Sequence, residues 1–247
     1  MEAIFEKSFP VSYHELDSHA NLRLLTILNY LQDCAGAHAA RLGVSVADLR
    51  PGGLTWVLSR IHLVVERYPR ADDTVVVRTW PATRQGLFTC REFELRDAHG
   101  ACVARASTSW ALLKIATRRP VRLEDHLPPY PLVPQRAVDD EFAALPPFPE
   151  EATAEMVFRV LRGDLDINHH VNNTVFAGWA VEAVPDGIAA GSLTELEIAF
   201  RAEVLYGETI VSRCTVLEEG ETPCCLHQIV NSRDNRELAR LRTRWRR

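Results

Sequence analysis

Residues 164–182 read DLDINHHVNNTVFAGWAVE, a polar stretch that passes into a mostly apolar one. Asp166, Asn168 and His170 occupy every second position in its polar part. Alternate side chains of an extended segment point to the same side, so the pattern predicts that these three face one pocket. A polar loop before a helix is also common in purely structural roles. On these three residues alone, a catalytic and a structural interpretation are equally supported.

Two asparagines lead into the apolar part of the stretch. Asn172 or Asn173 is suited to cap a helix that begins near Thr174, and Pro185 is expected to end that helix. Free backbone N–H groups and the macrodipole at a helix N-terminus favour developing negative charge. The pattern therefore predicts that the amides of residues 171–173 donate to a tetrahedral oxyanion.

The 247-residue chain has the composition of an ordinary globular protein. Its formal net charge of -5 argues against a general nucleic-acid binder, and it has no apolar run of the roughly 18 residues that a membrane span needs. The N-terminus lacks the basic and then apolar pattern of a signal peptide, so a cytoplasmic location is expected. The six cysteines show no CxxC or metal-ligand spacing and are expected to be free, mostly buried thiols.

Hydrophobic periodicity predicts the other main elements. A long helix is predicted over residues 22–42, with Gly43 as its end. Runs rich in β-branched and aromatic residues predict strands at 5–14, 55–68, 73–80, 88–97 and 101–115.

The stretch at 164–182 also repeats an earlier part of the chain. Residues 15–33, ELDSHANLRLLTILNYLQD, align with it without a gap at a displacement of 149 residues. A displacement of 135 residues aligns many of the residues beyond the two helices, with Trp110 opposite Trp245. We infer two copies of one unit, each built from a strand, a helix and a run of antiparallel strands.

The copies differ where ligand chemistry is expected. At the position of His170 the first copy has Asn21, and at the position of Glu203 it has Tyr68. Glu203 lies in TELEIAFRAEV (194–204), whose alternation places it on the polar side of a predicted strand, and a solvated strand end is the simpler interpretation of it. We predict one catalytic centre, built on the second copy.

A proline-rich segment separates the copies. Seven of the fourteen prolines lie between residues 128 and 149, and proline denies a segment both helix and ladder hydrogen bonds. The predicted division is an N-terminal repeat at 1–123 that forms a wall of the binding pocket, a linker at 124–150, and a catalytic C-terminal repeat at 151–247.

LDINHHVNN followed by GWAVEAVP resembles the motif of the acyl-acyl carrier protein (acyl-ACP) thioesterases, the plant-type family with bacterial members. LTWVLSRIHLVVERYP, VVVRTWPA, FELRD and ARASTSWALL resemble first-repeat segments of that family, so the resemblance covers nearly the whole chain. It implies an α+β tandem (double) hot-dog fold, with two antiparallel sheets each wrapped around a long helix. It also implies hydrolysis of the thioester of fatty acyl-ACP with neither a metal nor an organic cofactor.

The resemblance assigns site residues as well. Asp166, Asn168 and His170 match the acid, amide and imidazole of the family motif, and Glu203 matches the acid of a second family segment. Many plant members have a cysteine after that acid where this chain has Val204, which excludes a thiolate there and favours direct attack by water. We expect Glu203 as the base, with His170 as the alternative and Asp166 not ranked against Glu203. Asn168 is expected to orient the water or the carbonyl.

An acyl chain needs an apolar pocket, and its candidate lining residues in the first copy are Leu28, Leu31, Trp56 and Leu58, although ordinary core is the commoner role of such residues. The resemblance implies an acidic carrier protein, which needs a basic docking surface. The candidates are arginines on the last strand and before the linker: Arg240, Arg242, Arg244, Arg246, Arg118, Arg119 and Arg122.

Other functions share parts of this pattern. An acyl-coenzyme A thioesterase of the same fold differs only in the carrier, and a non-catalytic acyl-binding hot-dog protein would not need the four polar side chains. The extended motif does not favour a hot-dog dehydratase. A metal site at His169, His170 and Asp166 is disfavoured because adjacent residues of an extended chain point to opposite sides. The expected partner is acyl carrier protein, and both monomer and homodimer are open.

Overall fold

The computed structural model describes residues 2–247. The chain divides into two compact units, Met1–Phe142 and Ala143–Arg247. The border falls inside the predicted linker, and the predicted domain limits at 123 and 151 stay predictions. No helix in the described part of the chain combines the length and the apolar character that crossing a membrane requires.

The first unit is an antiparallel sheet with one long helix. Its elements are β1 (Phe5–Pro10), α1 (Leu24–Arg41), α2 (Val46–Leu49), β2 (Leu54–Val65), β3 (Thr74–Pro81), β4 (Phe88–Arg96), β5 (Cys102–Lys114), β6 (Arg119–Pro120) and α3 (Leu123–His126). The strands follow one another across the sheet in the order β1, β3, β4, β5, β2, and the short β6 pairs with β5. Gly43 follows α1 with a φ of 70°, a left-handed value that is free of strain without a Cβ, and this confirms the predicted helix end.

The second unit repeats this plan in a shorter form. Its elements are β7 (Ala154–Arg159), α4 (Asn173–Glu182), α5 (Asp186–Ala189), β8 (Ser192–Phe200), β9 (Thr209–Glu218), β10 (Cys224–Asn231) and β11 (Glu237–Arg246). The sheet order is β7, β9, β10, β11, β8, all antiparallel. Asn172 caps α4, because its Oδ1 accepts a hydrogen bond from Thr174 N at 3.0 Å.

The internal repeat extends to individual contacts. Trp110 Nε1 donates to Thr108 Oγ1 at 2.9 Å in the first unit, and Trp245 Nε1 donates to Thr243 Oγ1 at the same distance in the second. Equivalent strands occupy equivalent places in the two sheet orders. The displacements of 149 and 135 residues that the sequence suggested therefore relate real structural equivalents.

The proline-rich segment 128–149 contains no helix or strand, yet part of it is tightly held. Four side chains, one from each of four neighbouring strands of the first unit, form a row directly across the sheet: Trp80, Glu92, Ser107 and His62. Residues 133–140, which we call the strap, follow this row and bond to each of its members.

The strap contacts are made in chain order. Trp80 Nε1 donates to Gln135 O at 2.8 Å, and the buried Glu92 carboxylate accepts from Arg136 Nε at 2.8 Å and from Ala137 N at 2.9 Å. Ser107 Oγ accepts from Val138 N at 3.1 Å and donates to Glu92, and Asp140 Oδ2 lies 2.8 Å from His62 Nδ1. The strap is therefore an integral part of the first unit.

Candidate active site

The motif loop of the second unit is a tight turn. Leu165 and Val171 form an antiparallel bridge, and Asp166 N donates to His170 O at 2.8 Å. The Asp166 side chain closes the turn, since its Oδ1 accepts from Asn168 N at 2.8 Å and His170 N at 3.3 Å. The predicted extended conformation of this segment is wrong, because the Asp166 carboxylate offers the backbone amides a better local partner than a neighbouring strand would.

The first unit contains the same turn. Asp17 Oδ1 accepts from His19 N at 2.8 Å and Asn21 N at 2.9 Å, and Ala20 has a φ of 60° where His169 has 63°. The acid at this position thus has the same structural task in both copies of the repeat. At the position of His170 the first turn has Asn21, and its own imidazole, His19, stands at the position of Asn168.

The turn brings His170 to Glu203. Val171 N donates to Val204 O at 2.9 Å, and a bridge joins His170 to Leu205, so the turn is paired with the segment that carries Glu203. His170 Nε2 lies 3.5 Å from Glu203 Oε2, with 29% and 37% of the two side chains exposed. We call these two residues the acid–imidazole pair. It combines a proton acceptor and a proton donor in a place that water reaches.

Glu203 stands outside the strand on which its predicted orientation was based. Strand β8 ends at Phe200, three residues earlier. Leu205 N donates to Glu208 Oε2 at 2.7 Å, and Glu208 Oε1 accepts from Asn231 Nδ2 at 3.0 Å. Glu208 therefore fixes the turn that follows Glu203, a role that the sequence analysis missed although Asp73 occupies the same place in the first copy and accepts from Arg70 N at 2.9 Å.

The predicted oxyanion donors are largely occupied. Val171 N donates to Val204 O, and Asn172 N donates to Asp164 O at 2.8 Å, so these two amides are unavailable and that part of the prediction is wrong. Thr174 N is taken by the Asn172 cap. Within residues 2–247, Asn173 N is the amide of the predicted trio that has no protein acceptor.

Three of the four candidate acyl-pocket residues are buried in the first unit, namely Leu28, Leu31 and Leu58. Trp56 is half-buried, donates from Nε1 to Val44 O at 2.8 Å, and packs on an apolar cluster that includes Leu54 and Leu112. Their place along an acyl chain stays a prediction.

The arginines of β11 are mostly paired. Arg242 binds Glu197, its direct cross-strand partner, and Arg244 Nη1 lies 3.2 Å from Glu218 Oε2. Arg240 is buried and binds Glu237. These ion pairs reduce the charge that the three arginines offer, and a docking role for the stripe stays a prediction.

The six cysteines are free, and four of them are buried, as predicted. A hydrogen bond with Cys225 and burial raise the pKa of the Cys214 thiol. Burial also raises the pKa of Cys224. Buried thiols with raised pKa values, such as those of Cys214 and Cys224, are poor nucleophiles.

Curated relatives are similar along almost the whole chain. A chloroplastic palmitoyl-acyl carrier protein thioesterase of Arabidopsis thaliana is 28% identical over 265 residues, which cover 98% of this chain and 64% of the relative. A dodecanoyl-[acyl-carrier-protein] hydrolase of Cinnamomum camphora is 27% identical over 259 residues, 98% of this chain and 68% of that protein. The chain thus spans less than two thirds of the length of the Arabidopsis relative.

Solved structures share the fold. A 12:0-ACP thioesterase from Umbellularia californica has a TM-score of 0.86 at 25% identity and covers 100% of this chain and 98% of its own. An acyl-ACP thioesterase from Bacteroides thetaiotaomicron has a TM-score of 0.85 at 22% identity, with 98% of both chains covered. The expected α+β double hot-dog fold is confirmed.

Two family models match nearly all of the sequence. The acyl-ACP thioesterase N-terminal domain matches residues 2–129, and the acyl-ACP thioesterase C-terminal domain matches residues 149–247. Together with the fold and the paired motif segments, these matches assign the family. The chain belongs to the acyl-ACP thioesterases.

Proposed function

We propose that this protein is a hydrolase that cleaves the thioester of fatty acyl-ACP and releases the free fatty acid. The observation that carries the proposal is the 3.5 Å approach of His170 Nε2 to Glu203 Oε2 in a chain of this family. Relatives named palmitoyl- and oleoyl-acyl carrier protein thioesterase and dodecanoyl-[acyl-carrier-protein] hydrolase support a fatty acyl substrate.

Glu203 takes a proton from a water molecule held beside the acid–imidazole pair, and the water oxygen attacks the thioester carbonyl. The carbon–sulfur bond then breaks, and the thiolate leaves and takes up the proton from the pair. A thiol is acidic enough to depart without a strong acid. His170 is the alternative base. No step needs a metal or an organic cofactor.

Asp166 serves as a positioning residue in this proposal. Its Oδ1 is engaged by two backbone amides, and Asn168 Nδ2 donates to its Oδ2 at 3.2 Å. This engagement supports Glu203 over Asp166 as the base. Asn168 remains the candidate to orient the water or the carbonyl, and Asn173 N is the candidate oxyanion donor.

The acyl chain is proposed to lie against Leu28, Leu31, Trp56 and Leu58 of the N-terminal repeat. Acyl carrier protein is the proposed substrate carrier, and the cytoplasm is the proposed location. The proposed division stays an N-terminal repeat at 1–123, a linker at 124–150 and a catalytic C-terminal repeat at 151–247, with the strap part of the linker held on the first unit.

A panel of acyl thioesters tests the function. Acyl-ACP and acyl-CoA of several chain lengths are incubated with the protein, and free thiol and free fatty acid are measured together. The expected result is turnover of acyl-ACP well above that of acyl-CoA. Higher turnover of acyl-CoA would favour the coenzyme A thioesterase, and binding without thiol release would favour an acyl-binding protein.

A further inference from the structure

Four large apolar side chains are exposed on the loops that carry the acid–imidazole pair. The exposed fractions are 83% for Ile167, 61% for Leu161, 51% for Leu205 and 49% for Tyr206. Single exposed apolar residues are ordinary, whereas several on two paired loops beside a reactive pair indicate a binding surface.

A cation stands next to these residues. Arg162 Cζ lies 4.5 Å from the centre of the Tyr206 ring. Within residues 2–247, the Arg162 side chain forms no ion pair with a carboxylate, in contrast to Arg240, Arg242 and Arg244. A guanidinium that is oriented by an aromatic ring and still unpaired is suited to bind a phosphate.

The first copy shows that the fold does not require these residues. Its equivalent turn has the same backbone hydrogen bond to an acidic side chain, from Arg70 N to Asp73. The residues that replace Arg162, Ile167, Leu205 and Tyr206 there are Tyr13, Ser18, Arg70 and Ala71. The apolar residues and Arg162 therefore occur only in the copy that has the acid–imidazole pair, and they are not a general feature of the repeat.

We propose that Leu161, Arg162, Ile167, Leu205 and Tyr206, here called the arm surface, bind the 4′-phosphopantetheine arm of the thioester substrate. The inference rests on the proposed function and names the part of the carrier that the site holds. The arm runs from the reacting sulfur through two amides and a dimethyl-substituted carbon to a phosphate. The apolar side chains pack against the dimethyl group, and Arg162 binds the phosphate. Acyl carrier protein and coenzyme A both carry this arm.

The test varies the arm and keeps the acyl chain constant. The substrates are the acyl thioesters of N-acetylcysteamine, pantetheine, phosphopantetheine, coenzyme A and acyl carrier protein. For Arg162→Met we expect KM to rise about tenfold on the three substrates that carry phosphate, because one charge-assisted bond is worth about that factor. KM on the two thioesters without phosphate should change less than twofold, and kcat should hold throughout.

Two further variants sharpen the test. Ile167→Ser copies the first repeat and should raise KM about threefold on pantetheine and phosphopantetheine thioesters but not on N-acetylcysteamine thioesters. Arg70→Met, in the equivalent turn of the first copy, is the matched control and should change none of the five values. Titration with a non-hydrolysable phosphopantetheine thioether should show the same loss of affinity for Arg162→Met, and this readout does not depend on turnover.

The outcomes separate the two proposals. If the wild type hydrolyses the panel and Arg162→Met changes neither KM nor thioether affinity, the proposal that the arm surface binds the arm is wrong. The proposal that the protein is a hydrolase is then unaffected. A rise in KM for Arg162→Met that is confined to acyl-ACP would also overturn the arm-binding proposal, since that pattern indicates contact with the carrier's protein surface. If the wild type releases no thiol, the proposed function fails, and the thioether titration alone decides whether Arg162 binds the arm.

Discussion

His170 Nε2 and Glu203 Oε2 lie 3.5 Å apart because the backbone segments that carry the two residues are themselves hydrogen-bonded. Val171 N donates to Val204 O, one residue beyond each member of the pair. The separation is therefore set by main-chain geometry, which is stiffer than two long side chains meeting across solvent. Such preorganisation is what proton transfer in a hydrolase requires.

Replacing the Glu203 carboxylate should lower the turnover rate strongly. Glu203→Gln keeps the size of the side chain but removes its basicity, so we expect kcat on acyl-ACP to fall roughly 10²–10⁴-fold with little change in KM. Steady-state kinetics measure both values. The control is Glu219→Gln, an exposed residue on the loop after β9. Full turnover by Glu203→Gln would show that Glu203 is not the base.

Because the same turn occurs in both copies, variants of Asp166 and Asp17 can be compared to distinguish a structural role of the carboxylate from a role in activity. Asp166→Ala and Asp17→Ala each remove a carboxylate that accepts two backbone amides, so each should lower the free energy of unfolding by about 1–3 kcal/mol. We expect only Asp166→Ala to lower kcat, by at least about tenfold. Urea denaturation and kinetics are the measurements. Equal loss of activity in both variants would contradict a site confined to the second copy.

Acid should destabilise the second unit through His227. Burial lowers the pKa of this imidazole to about 3, from an ordinary value of 6.5. Between these values the unfolded chain holds a proton that the folded chain lacks, so the free energy of unfolding falls as the pH drops from about 6.5 towards 3. The total loss at the lower limit is on the order of a few kcal/mol.

His227→Phe tests this linkage. The register places Phe93 at the equivalent position of the first unit, and His227 Nδ1 has no hydrogen-bond partner within residues 2–247. His227 Nε2 also lies 2.8 Å from Thr243 Oγ1, so the variant should be somewhat less stable than the wild type at pH 8. Between pH 8 and pH 4.5 we expect it to lose less stability than the wild type does. Thermal unfolding at both pH values is the measurement. Parallel losses in the two proteins would show that another group dominates.

The stabilising attachment of the strap to the first unit should depend on Glu92. Its carboxylate is 0% exposed and binds Arg136, Ala137 and Ser107, so Glu92→Ala leaves buried donors without partners. We expect a loss of about 3–5 kcal/mol in the free energy of unfolding. Glu94→Ala, two residues along β4, removes a partly exposed partner of Arg78 and should cost about 1 kcal/mol or less. Losses of the same size in both variants would argue against the strap as a stabilising element.

Much of the fold was predictable because it is duplicated. Weak identities such as Trp110 with Trp245 acquire weight when a single displacement relates them in order, and the strands lie within a few residues of the predicted runs. The motif turn was not predictable in this way. Asp17 and Asp166 match in both copies, but alternation in sequence does not reveal that a carboxylate folds the backbone back on itself.

Charge pairing across strands was also hidden. Arg242 and Glu197 are direct partners in the register of β11 and β8, and Arg244 likewise faces Glu195. Residues 45 or more positions apart meet only once the register is known, so the sequence showed a cationic stripe where the sheet has ion pairs. Nothing in the sequence singles out Arg162, because what distinguishes this residue is its position over the Tyr206 ring.

The row of Trp80, Glu92, Ser107 and His62 has a practical consequence for dissecting the protein. A fragment that stops at residue 123 would retain all five main strands of the first unit but would expose a buried carboxylate and an imidazole to water. A fragment that runs to residue 142 keeps the partners of both groups. The fragment that stops at residue 123 lacks the strap, and we expect it to aggregate on expression.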